Sequence, residues 1–226
     1  NGQKTSQDSA MATKKTAKAK PGRKSKPDLA DRIADAALEF AAREGWASLS
    51  VPKVADALSE PLGRVIGVYP TTGRIASALL SRIDEHVLSQ VQDIDDSETP
   101  RDRLFEILMI RFDALQRHRS GYEALIRGLS RRPASILKRA PALVHSMALM
   151  LIASGIDASS PFGMIRAHAL TIAYGAVLRT WLADDSDDMA KTMSALDQAL
   201  DRLERMQSLI LDRRPSDNQV NDEDAD

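Results

Sequence analysis

Residues 54–75 read VADALSEPLGRVIGVYPTTGRI, and most of what the chain does is decided there. Just upstream, Ser50 can cap a helix whose first turn holds Pro52, a residue that lacks an N–H to satisfy. Val54, Ala55 and Leu58 then fall on one face of a brief helix. Ser59 and Glu60 make a tight turn, and Pro61 opens a further short helix through Val68. Working outward, a first helix opens at Asp28, with Leu29, Ile33, Ala36, Ala37 and Phe40 on one face. Gly45 ends it, and Trp46 and Leu49 carry the apolar pattern into the connection. On the other side, Thr71 can cap a long fourth helix carrying Ile75, Leu79, Ile83 and Val87. Three short helices thus make a compact head, and a long one joins it to the rest of the chain.

The remaining sequence keeps the helical period. Beyond Thr99 and Pro100, Leu104, Ile107, Leu108, Phe112 and Leu115 define a fifth helix, and Tyr122, Leu125, Ile126 and Leu129 a sixth. A seventh spans Ile136 to Ser154, interrupted or kinked near Pro141 and closed by Gly155. Phe162 to Ala183 is apolar or small nearly all round, which requires burial on two sides. The last helix starts after Asp184 to Ser186 and repeats Met189, Met193, Leu196, Leu200 and Leu203 at alternating spacings of four and three. The expectation is an all-α fold of about nine helices with no sheet. The last two helices carry more apolar face than one chain readily covers. A four-helix interface between two copies, built on Ile172, Ala176, Trp181, Met193, Leu196, Leu200 and Leu203, is one solution, and burial within the chain is the other.

Composition agrees. With 226 residues, 43% hydrophobic and only 4% aromatic, the chain can fill a helical core. It has no cysteine, which removes disulfides, thiolate nucleophiles and cysteine-based zinc sites. The apolar run Met147–Ala153 is far too short to span a bilayer, and no apolar stretch follows the basic start, so a cytoplasmic protein without membrane insertion is expected. The net charge of −1 hides an asymmetry: Met11 to Lys26 holds seven Lys and Arg and no acid, whereas Leu211 to Asp226 holds six acids against Arg213 and Arg214. The expected organisation is a disordered basic arm at 1–26, whose Asn1–Ala10 could be a leader before Met11, and a head with its linking helix at 27–89. A helical body at 99–211 and a disordered acidic tail at 212–226 complete it. A basic tail suits nucleic acid, although many such tails only solubilise.

The window 54–75 resembles the helix-turn-helix of the TetR family of transcriptional regulators, in which an alanine-rich helix, a tight turn and a short recognition helix lead into an aromatic-Pro pair, here Tyr69 and Pro70. The resemblance extends over Leu29–Val87. It implies a homodimer that places the start of the third helix in the major groove of double-stranded DNA, behind which a body binds an effector. Three positions depart from the family pattern: Ile66 replaces a phosphate-contacting Tyr, Leu62 an early Lys, and Thr72 the Lys after the aromatic-Pro pair. From Pro27 to Ser89 acids outnumber basics, so the arm has to supply much of the affinity for phosphate. Lys20, Arg23, Lys24 and Lys26 suit a minor groove. Pro61, Leu62, Gly63, Arg64, Tyr69 and Thr71 are the head's candidate contacts, with Lys53 reaching phosphate, and for Arg64 and Lys53 an ordinary solvated surface role stays open.

From Thr180, TWLADDSDDMAKTMSALDQAL is also similar to the fold-sharing lipid-binding accessory proteins of ubiquinone biosynthesis, which have lost their DNA-reading residues. Leu62 and Ile66 suit that alternative, whereas the basic arm and polar tail suit the regulator. Phe105, Met109, Phe112, Met147, Met150 and Met164 can line a pocket for an apolar small-molecule effector, or simply pack a core at helical spacing. His86, His118, His145 and His168 lie on separate helices without metal-ligand spacing. No phosphate loop, nucleophile elbow or carboxylate pair is present, so neither cofactor nor catalysis is expected.

Overall fold

A computed structural model describes residues 28–91, 97–131 and 133–211. Among them it forms nine α-helices and no strand: α1 Leu29–Glu44, α2 Val51–Leu58, α3 Leu62–Val68, α4 Thr72–Gln90, α5 Pro100–Gln116, α6 Arg119–Ser130, α7 Pro133–Ala153, α8 Pro161–Trp181 and α9 Ala190–Leu211. Capping residues set most starts. Asp28, Ser50, Thr71, Thr99 and Ser160 each accept a hydrogen bond from a backbone N–H of the first turn, supplying an acceptor the helix cannot.

Two boundaries depart from the sequence expectation. α7 starts at Pro133 and runs without interruption through Pro141, which is exposed and removes one N–H donor from the helix. α9 begins only at Ala190, because Met189 takes a left-handed φ of 53° and Asp184 organises the loop before it. The buried Asp184 carboxylate accepts from Thr192 N at 2.8 Å and Thr192 Oγ1 at 2.7 Å, and from the N–H and hydroxyl of Ser186. Burial works against its charge, yet these hydrogen bonds prevail and hold the carboxyl well below the ordinary carboxylate range.

Head and body share one core. α1 lies against α6, where Gly121 admits close approach: a Cβ there would stand 2.9 Å from the Leu38 carbonyl oxygen, and one on Gly128 would stand 2.9 Å from Trp46 Cβ in the turn that follows α1. α4 is tied in by Arg82 to Asp35 of α1 at 2.7 Å and by a buried polar cluster. In that cluster Arg111 of α5 ion-pairs with Asp84 of α4, and its Nε donates to Tyr174 Oη of α8 at 3.2 Å. Ser146 of α7 donates to the same Asp84 at 2.7 Å. Arg111 occupies a core position in register with Leu104, Leu108 and Leu115, so its charge is held only by these partners.

Candidate nucleic-acid interface

The turn between α2 and α3 is a Schellman closure: Glu60 N–H reaches Ala55 O at 3.0 Å and Ser59 N–H reaches Asp56 O at 3.1 Å. Ser59 sits at φ 53°, ψ 37°, where glycine is usual. Glu60 then locks the corner. One carboxylate oxygen takes Arg32 of α1 at 2.7 Å and the other takes Arg64 of α3 at 2.7 Å. The Arg32 hydrogen bond, reinforced by the Arg64 charge, holds the Glu60 carboxyl below its ordinary range. Val65 is buried beneath α3, Val68 is half-buried, and the rest of the helix faces out.

The head residues singled out in the sequence stand in different states. Pro61, Leu62, Gly63 and Arg64 are exposed around the start of α3, Thr71 is exposed as the cap of α4, and Tyr69 is half-buried between them. Arg64 is engaged by Glu60. Lys53 is turned back onto its own head, donating to Ser48 O at 3.0 Å, pairing with Glu44 at 3.8 Å and lying 5.0 Å over the Phe40 ring. Of the head's cations, Arg43 and Arg74 are exposed and make no ion pair among the described residues. Arg74, three residues beyond the α4 cap, escaped the sequence reading; a cation in the turn beside an aromatic-Pro pair was the available signal. Lys20, Arg23, Lys24 and Lys26, with the acidic tail, lie outside the described residues.

Of the residues assigned to an effector pocket, Phe112, Met147 and Met150 are sealed in the core, and Phe112 stacks on Tyr174 with ring centroids 5.3 Å apart. Phe105 and Met109 are half-buried, and Met164 stands on the exposed side of α8 at 46% exposure, apart from the other five. An open pocket of about 470 Å³ lies instead between α5, α7, α8 and α9, lined by Leu104, Leu151, Ile156, Leu170, Leu200 and Leu203, with Arg101 and Arg166 adding charge.

The interface residues also divide. Trp181, Leu196 and Leu200 are buried within the single chain, Leu203 is half-buried, and only Ile172 at 76% exposure, Ala176 and Met193 face outward. Apart from Met193, the repeat on α9 packs inward onto α8 and α5, which removes Leu196 and Leu200 from any external seam.

No family model and no curated protein matches the sequence. Solved structures do match the fold, which is that of TetR transcriptional regulators. A TetR regulator from Nitrosomonas europaea aligns at TM-score 0.65 and 18% identity over 79% of this chain and 99% of that one. A TetR regulator from Rhodococcus sp. RHA1 aligns at 0.59 and 19% over 76% and 93%. The multidrug binding protein EbrR, solved with imidazole, aligns at 0.50 and 21% over 77% and 96%.

Proposed function

We propose that this chain is a DNA-binding transcriptional regulator, acting as a homodimer and as a repressor released by a small apolar effector. The observation that carries the reading is the α2–turn–α3 unit, a helix-turn-helix whose second helix is held by Val65 and Glu60 with its far side open to a groove. The exposed stripe of Phe162, Ile165, Ile172 and Ala176 along α8, with Met193 on α9, supports a two-fold pairing of bodies. The pocket between α5 and α9 supports an apolar effector with a polar end.

A gel-shift on the gene's own upstream region tests the reading, using the intact chain, an Arg64→Ala variant and a chain lacking residues 1–26. Retarded duplex, weakened by either change, is expected. The apolar outer face of α3 favours one competitor, a lipid carrier that has ceased to read DNA. Absence of any shift in dilute salt, with isoprenoid lipid extracted from the purified protein, would establish that competitor instead.

A further inference from the structure

We propose that the head reads its duplex chiefly through thymine methyl groups, with Leu62 and Ile66 as the specificity-determining side chains; the inference rests on the regulator reading above. At about 100° per residue, Gly63 and Gly67 lie opposite the inward Val65 and Val68. Leu62 and Ile66 form one shoulder of the outward face, exposed to 42% and 43%, and Arg64 forms the other, bound to Glu60. A Cβ at Gly63 or Gly67 would meet nothing within 4 Å, so the chain's own packing does not require either glycine. Each weakens a helix of only seven residues, and the two isolated apolar side chains beside them are left in water.

A duplex accounts for both features. Bare backbone at the apex of α3 allows the helix to settle against the base edges, and short branched side chains beside it then reach the floor of the groove. The apolar feature of that floor is the thymine C5-methyl, and the outward face of α3 has no amide, hydroxyl or carboxylate with which to read hydrogen-bond patterns, its one guanidinium, Arg64, being held by Glu60. Two side chains are too small a patch for a protein partner, which needs on the order of 800 Å² on each side.

The test is selection from random duplexes by the full chain in low salt, followed by replacement of thymidine with deoxyuridine, one position at a time, in the winning duplex. Loss of a contacted methyl should weaken binding about fourfold. Leu62→Ala and Ile66→Ala, with circular dichroism unchanged, should each abolish that sensitivity at their own position. Gly63→Ala should raise the melting temperature while weakening binding by about tenfold, a combination that a merely structural glycine does not give. If deoxyuridine duplexes and both alanine variants bind like their parents, methyl readout is overturned and DNA binding stands. If Ile66→Ala changes only self-association, the face is a protein contact and the inference falls. If no duplex is enriched, the regulator reading itself fails.

Discussion

At the corner between α2 and α3, Ser59 holds a left-handed conformation that costs a residue with a Cβ about 1 kcal/mol. Ser59→Gly removes that cost. Against it stands the greater freedom of glycine in the unfolded chain, so the net gain is expected at about 0.5 kcal/mol, read as a higher urea midpoint with unchanged slope. Asp184 makes the opposite kind of contribution. Its folded carboxyl lies below the unfolded value of about 3.9, so its hydrogen bonds stabilise fully above that pH and are lost as pH falls toward the folded value. An Asp184→Asn chain should be less stable near neutrality and lose less on acidification below about pH 4, as followed by thermal melts across pH. In the run DDSDD nothing local distinguishes one carboxylate from the next, and only the fold singles out Asp184 as a cap for α9. Arg111 was more legible, since an arginine in register with three leucines asks for a partner. Its partners were not, because Asp84, Ser146 and Tyr174 come from three other helices at no fixed spacing.

At the scale of elements, caps and period placed nearly every helix, because both are local properties of a few residues. What lies between helices is not local. The packing of α6 on α1 and on the turn after it depends on Gly121 and Gly128, seven residues apart, which in sequence are only weak points of a helix. Gly121→Ala forces a Cβ against the Leu38 backbone, which cannot yield without moving α1, and should cost about 1–3 kcal/mol in denaturant unfolding. Gly63, in open space, should respond with the opposite sign. The α9 repeat was legible as a seam but not as to its direction. Leu196 and Leu200 face the chain's own core, and the outward apolar surface belongs to α8 with Met193 of α9.

For the whole molecule, the proposed pairing of two bodies through α8 makes Ile172 the most informative single position, since among the described residues it is the most exposed large apolar side chain and lies outside the packed core. Ile172→Asp should shift sedimentation from dimer to monomer with helicity preserved, and should weaken binding to a two-fold operator far more than to a single half-site. Fold class and head were readable from the sequence, because a capped turn between two short helices is a local signal. The pocket was not, since it arises where α5, α7, α8 and α9 meet, and of the external face the sequence singled out only Ile172, Ala176 and Met193.

Glu60 has one further consequence. Its carboxylate already occupies the Arg64 guanidinium, so under the proposed function an arbitrary duplex would have to displace a resident anion before its backbone phosphate gained Arg64. Random stretches of genome, offering charge alone, would then compete poorly with that anion, and the penalty would fall hardest on wrong sites. A Glu60→Gln chain should therefore stick to unrelated DNA more tightly and discriminate less, as titrations of cognate and scrambled duplexes at matched salt would register.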